Sequence, residues 1–332
     1  DGEIWPVGDR VVIRAEDPAG LTVLVTCPPM LGMMDELRER FVERGVGVYC
    51  PEVVQSVSEA ELIALVPRFE GWIIGDDPAT ARVFEAGRAG RLRAAVKWGI
   101  GVDNVDLRAA RALDLPVTNT PRMFGSEVAD VAMGYLIGLA RETFFIDREV
   151  RRGAWPKPRG ISLEGKLLGL VGYGDIGRNV ARRARAAGMT VLVYDPAFQP
   201  DRALPEVALA RWPSGIEDCD FLCFTCALNA DNRHMLNEGV IVRLKPAVRI
   251  VNVARGGLID EEALHRALLC GRVYAAALDV FEVEPLPASS PLRGLARCVF
   301  GSHNASNTAE AVRRTSERAI RLLCELLGLG DG

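Results

Sequence analysis

The chain has 332 residues, 49% hydrophobic and 25% charged, with a formal net charge of −4. That balance suits ordinary globular domains, and at this length two cores are expected rather than one. Basic residues are dispersed and no apolar run reaches the length of a membrane span, so neither a nucleic-acid partner nor a membrane partner is expected.

The opening stretch DGEIWPVGDR lacks the charged start and apolar run of a signal peptide, so a cytoplasmic location is expected. Of the eight cysteines, Cys219, Cys223 and Cys226 fall in DCDFLCFTC. They read as small apolar residues of a buried strand and its end. The paired short spacings of a zinc site are missing, and no metal is expected.

RVVIRAEDPAG, within residues 1–20, predicts a hairpin ahead of the first parallel strand. LTVLVT (21–26), VGVYC, GWIIG (71–75) and RAAVKWG (93–99) then alternate with helical patterns such as MMDELRERFVERG and SEAELIALVPRF. This rhythm implies a parallel sheet covered by helices. Residues 126–155 predict one long, mostly apolar helix with a charged end, suited to a hinge and an oligomer surface. A second series of strands follows: LLGLVGYG, MTVLVYD, DFLCFTC, VRIVNVARGG, VYAAALDVF and RCVFGSH. TAEAVRRTSERAIRLLCELLG (308–328) closes the series as an amphipathic helix.

GYGDIG, residues 172–177, has the spacing G-x-G-x-x-G. It follows a strand and opens a helix, and the next strand ends on Asp195. Together these parts form a dinucleotide-binding fingerprint. Gly172 permits the tight turn, Gly174 admits the pyrophosphate, and Gly177 lets helix and sheet approach. The helix N-terminus offers N–H groups and partial positive charge to the phosphates. Asp195 would bind the ribose hydroxyls and repel a 2′-phosphate, which selects NAD.

Three further strand ends carry polar groups. Arg255 follows one strand in VNVARGGLIDEEAL, Asp279 and Glu284 follow another in ALDVFEVEPLP, and His303 follows a third in GSHNAS. Ligands of open α/β sheets bind at the carboxyl ends of strands. With GYGDIG, KWGIGVDNVD (97–106) and VTNTP (117–121), this set resembles the D-isomer-specific 2-hydroxyacid dehydrogenases. The likeness runs from about residue 70 to 310, and is strongest to the short phosphoglycerate dehydrogenase branch that lacks a C-terminal regulatory extension.

The resemblance implies two doubly wound parallel-sheet domains of the α/β class. Residues 1–120 with 308–332 would form a flavodoxin-like substrate domain, and 121–307 an inserted Rossmann NAD-binding domain. It implies that Arg255 grips the substrate carboxylate, His303 moves the proton, and Glu284 orients His303 and favours its charged form. Asp279 would orient the nicotinamide carboxamide. The cofactor would also touch Asp175, Ile176, Cys226, Val253, Ala254 and Ala305. Gly99 and Ile100 would offer backbone N–H groups to the carboxylate. A homodimer is expected.

Lys97 reads either as a surface charge or as a second anchor for an anionic substrate. Arg122 reads as a solvated hinge residue or another anchor. His234 and His265 read as a turn and a solvent-facing helix position. The chain departs from the family pattern after NTP, where it has RMF, and after His303, where Asn304 and Ala305 replace an aliphatic residue and Gly. Asn304 is therefore a candidate determinant of substrate choice. The implied reaction is hydride transfer between NAD(H) and a small anionic D-2-hydroxy acid or 2-keto acid. Phosphoglycerate, or another phosphate- or phosphonate-bearing acid, is among the candidates. The competing class is an NAD(H)-sensing, co-repressor-like binding protein with little turnover.

Overall fold

The computed structural model describes residues 20–200, 204 and 207–329. The hairpin expected ahead of the first strand lies outside the described residues. The chain divides into two compact units, residues 1–123 with 307–332, and residues 124–306.

The first unit holds five parallel strands: β1 (Thr22–Val25), β2 (Gly47–Tyr49), β3 (Gly71–Ile74), β4 (Ala94–Lys97) and β5 (Val117–Asn119), in the order β2-β1-β3-β4-β5. This is the flavodoxin-like order. Every residue of β3 and β4 is buried, as expected of parallel strands covered on both faces. Trp72, Phe84, Leu62 and Leu24 centre one core. The helix Ala309–Leu327 belongs to this unit: Leu323 lies against Gly71, and Trp98 Nε1 donates to Ser316 Oγ at 3.0 Å. Thr308 caps that helix by accepting from Ala311 N–H.

The second unit holds seven parallel strands: β6 (Leu167–Val171), β7 (Thr190–Tyr194), β8 (Val207–Leu209), β9 (Phe221–Phe224), β10 (Val248–Asn252), β11 (Val273–Leu278) and β12 (Cys298–Phe300). Their order is β12-β11-β10-β9-β6-β7-β8. Counted from β6, this is the doubly wound dinucleotide-binding order with one further strand on the β11 edge. The direction of winding reverses between β6 and β9. The short strand β8 carries no sequence signal strong enough to predict it. Cys219 and Cys223 are buried in and beside β9 as small core residues.

The single helix expected over residues 126–155 is two. Gly125–Arg141 and Thr143–Arg151 are separated by Glu142 in the left-handed conformation, φ 59°. The physical reason is long range. The helix-ending carbonyls are taken by other segments: Arg249 Nε donates to Leu139 O at 3.1 Å, and Ile161 N–H to Ala140 O at 2.8 Å. A continuous helix would need those acceptors for itself. The first of the two helices docks on the helix Asp175–Ala186, where Arg183 reaches Asp130 and Ser126 Oγ, each at 2.8 Å.

Asp220 ties β6, β9 and the approach to β10. Its carboxylate accepts from Leu167 N–H at 3.0 Å and Lys245 Nζ at 2.8 Å. Burial pushes this carboxyl up, but the Lys245 ammonium and the Leu167 amide outweigh it and hold the group below its ordinary range. A depressed carboxyl stabilises the fold above its unfolded pKa and loses that contribution as pH falls through its folded pKa. Asp220→Asn is expected to cost about 1–2 kcal/mol near neutral pH. In urea titrations that difference should shrink steadily as the pH falls below about 4; a pH-independent difference would contradict the assignment.

Candidate active site

The glycine loop begins where β6 ends. Gly172 has φ +98°, and a Cβ there would lie 2.7 Å from the backbone N of Cys226. Only glycine combines that conformation with that approach. Gly177, in the first turn of Asp175–Ala186, sits directly against Gly172 O, so no side chain fits between helix and loop. Gly174 caps the helix, and a Cβ built on it meets nothing within 4 Å. The loop therefore presents bare backbone and a helix N-terminus to open space, which suits a pyrophosphate.

Asp195 follows β7. Its two carboxylate oxygens accept from Tyr173 N–H at 2.6 Å and Ala197 N–H at 2.7 Å. The acid and the glycine loop are thus fixed to each other. Asp175 turns its carboxylate onto Gly125, at the start of the neighbouring helix. Ile176 is partly buried beside it. Cys226 closes the loop from the β9 side, and burial pushes its thiol up to about 12, which keeps it a neutral packing group.

Arg255, Glu284 and His303 follow β10, β11 and β12, which are adjacent in the sheet. His303 Nδ1 lies 2.7 Å from Glu284 Oε2, with both side chains about a fifth exposed, 23% and 19%. Glu284 Oε1 accepts from Phe281 N–H at 2.8 Å, which holds the carboxylate in place. His303 has φ +56°, a left-handed conformation uncommon for a residue with a Cβ. Such backbone persists where its surroundings over-determine it, and here they do. His303 N–H donates to Asp279 O at 2.7 Å, Asn304 N–H to Asp279 Oδ1 at 3.3 Å, and Ala305 N–H to Asp279 Oδ2 at 3.0 Å.

Asp279 is only 2% exposed. Burial pushes its carboxyl up, and the amides of Ala305 and Asn304 work against that rise. Its carboxylate supports the histidine loop from below, a task the sequence does not announce. Asn252 does the same for Arg255. This buried amide accepts from Ala254 N–H at 3.0 Å and donates to Arg255 O at 2.9 Å. It stands in the quoted motif VNVARGG, and a polar residue ending a fully buried strand is the signal that could have singled it out. Val253 and Ala254 are buried in the same turn. Asn304 keeps its side chain exposed.

In the first unit, Lys97 corrects one expectation. It is 3% exposed, with Nζ 3.3 Å from Asp76 Oδ1 and 3.0 Å from Trp98 O. It is not a surface charge, because β4 carries it into the interior and Asp76 neutralises it. Gly99 corrects another. Its N–H donates to Thr120 Oγ1 at 2.7 Å, so that amide is already committed within the unit. Ile100 remains 44% exposed at the loop surface. Arg122 is exposed with φ 60°.

Residues 133–305 match the NAD binding domain of the D-isomer specific 2-hydroxyacid dehydrogenases. The chain is 37% identical over 281 residues to hydroxypyruvate reductase of Thermotoga maritima, an alignment covering 83% of this chain and 90% of that protein. It belongs to the D-isomer specific 2-hydroxyacid dehydrogenase family. D-3-phosphoglycerate dehydrogenase of Methanocaldococcus jannaschii is 34% identical over 297 residues, covering 87% of this dehydrogenase and 54% of that one. A crystal structure of a Thermus thermophilus protein superposes with a TM-score of 0.82 at 31% identity, covering 94% of this chain and 98% of that one.

This dehydrogenase is accordingly an NAD-dependent oxidoreductase. The bare Gly174 turn, the close Gly172–Gly177 contact and the acid at the end of β7 fit that cofactor. No helix among the described residues is long and apolar enough to cross a membrane. Gly177→Ala should weaken NADH binding by at least about tenfold, because the new methyl must displace the Gly172 carbonyl that shapes the phosphate turn. A fluorescence titration with NADH checks this, and unchanged affinity would sink the packing argument.

Proposed function

We propose that this enzyme interconverts a short 2-keto acid, such as glyoxylate or hydroxypyruvate, with the corresponding D-2-hydroxy acid. The observation that carries this reading is the 2.7 Å contact of His303 Nδ1 with Glu284 Oε2, beside a strand end bearing Arg255. Bound NAD supplies or accepts the hydride. The protein supplies orientation, charge and one acid–base group.

Pairing with Glu284 keeps the proton on Nδ1 in the neutral ring, so Nε2 is the nitrogen that gives a proton to the ketone oxygen or takes it from the hydroxyl. The Glu284 carboxylate stabilises the imidazolium present before reduction and formed during oxidation. The Arg255 guanidinium is always charged and can hold a carboxylate with two N–H groups at once, which Lys cannot. Asp279 and Asn252 keep the loops that bear His303 and Arg255 from drifting, and such misplacement is costly in rate.

An unphosphorylated acid is favoured because the ammonium of Lys97 is already neutralised by Asp76. A phosphate-bearing acid is the second reading. Its support is Arg122, an exposed guanidinium without an ion pair among the described residues. Assembly as a homodimer is also proposed. Its support is the exposed apolar set Ile137, Phe144 and Val150 on the two helices that open the second unit.

His303→Ala is expected to lower kcat by about 10²–10⁴-fold while leaving NADH affinity nearly intact. Steady-state assays on a panel of 2-keto and 2-hydroxy acids, with parallel NADH titrations, check both halves. Near-wild-type turnover in the variant would remove His303 from the proton step. Tight NADH binding without turnover across the whole panel would favour a binding role instead. In the same panel, Arg122→Ala should raise KM several-fold for phosphorylated acids only if the second reading holds.

A further inference from the structure

Glu282 stands two residues before Glu284 and has no part in the chemistry above. Its surroundings are nonetheless closely organised. Glu282 Oε1 accepts from Glu261 N–H at 3.0 Å, and Glu282 N–H donates back to Glu261 Oε1 at 2.6 Å. Glu261 is the first residue of the helix Glu261–Leu269, which begins shortly after Arg255. The other oxygen of Glu282 lies 2.9 Å from His234 Nε2 and 3.5 Å from Arg233 Nη2.

The His234 turn is itself fastened to the chain leaving Arg255. His234 N–H donates to Gly257 O at 2.8 Å, Leu236 N–H to Leu258 O at 3.1 Å, and Asp260 N–H to Leu236 O at 3.1 Å. Gly256, next to Arg255, lies flat against the Phe281 carbonyl and the Glu282 amide, with no space for a Cβ. Phe281 N–H in turn holds Glu284 Oε1. Three segments therefore meet at one side chain: the loop of Arg255, the His234 turn, and the loop of Glu284.

A simple structural tie would not require a carboxylate here. Burial pushes the Glu261 carboxyl up, and the charges of Glu282 and Glu284 add to the rise. Glu261, Glu282 and Glu284 thus lie close together, with Arg233 and His234 against Glu282. The same negative charge would support an imidazolium held by Glu284.

We propose that Glu282 is a positioning residue that sets the Arg255 loop against the Glu284–His303 pair and adds its charge to the support of protonated His303. The inference rests on the roles proposed for Arg255, Glu284 and His303. Two consequences can be separated. Glu282→Gln keeps an acceptor for Glu261 N–H and loses the charge. Glu282→Ala loses both.

The chain has three histidines, so each ring can be followed by NMR titration of the labelled protein without any substrate. His234→Ala and His265→Ala assign the signals. The groups facing this region are Glu284 and Asp279 about His303, and Glu261, Arg233 and His234 about Glu282. Both Glu282 variants should move the His303 titration to lower pH. Glu282→Ala should also lower kcat by about 10–100-fold, and Glu282→Gln should recover most of that loss. NADH affinity should stay within about twofold, because the glycine loop lies across the sheet at β6 and β7.

If Glu282→Ala does not fold, Glu261→Ala replaces it. That variant removes the acceptor of the Glu282 amide and should lower kcat in the same direction. An unmoved His303 titration together with wild-type kcat in Glu282→Ala would overturn the proposal, and so would wild-type kcat in Glu261→Ala together with an unmoved His303 titration in Glu282→Gln. His303→Ala serves as the reference. If it retains turnover, the proposed function itself fails. If it is inactive while the Glu282 and Glu261 variants behave as wild type, only the positioning role fails.

Discussion

At the end of β11, Asp279 commits its backbone carbonyl and both carboxylate oxygens to three consecutive amides, those of His303, Asn304 and Ala305. Burying an acid is costly unless its acceptors are satisfied. Here they are satisfied by the loop that must be held still. The left-handed backbone of His303 follows from this arrangement, and so does the reach of its ring to Glu284. The proton step proposed for His303 needs a loop of one conformation, and Asp279 supplies the bonds that hold it.

The parallel sheet supplies the second condition. All seven strands of the second unit point the same way, so every polar strand end arrives at the same edge. The glycine loop follows β6, and Asp195 follows β7. Arg255, Glu284 and His303 follow β10, β11 and β12. The winding reverses between β6 and β9, the kind of point at which open α/β sheets receive a dinucleotide. The glycine loop with Asp195, and the group of Arg255, Glu284 and His303, thus occupy two halves of one edge.

Much of this was legible in the chain itself. The glycine spacing, the terminal Asp195 and the order of the three strand-end motifs carried strong chemical meaning. The strands were legible because fully buried parallel strands read as short apolar runs. The helix break at Glu142 was not legible, because it depends on Arg249 and Ile161 taking carbonyls from distant segments. Lys97 is ambiguous in the chain for a similar reason. A lysine at a strand end looks like a surface charge until the fold shows Asp76 waiting beside it.

Fold class, cofactor and the residue types available for hydride transfer are all written in local properties of the chain: strand and helix periodicity, glycine spacing, and polar residues placed at strand ends. Which of those groups are free to act, and which are held in place, is settled by three-dimensional packing. Gly99 gives its amide to Thr120, Asp279 gives its carboxylate to the histidine loop, and Glu282 joins three segments that are far apart in the chain. Such partners are chosen by long-range packing, and no local pattern in the sequence records them.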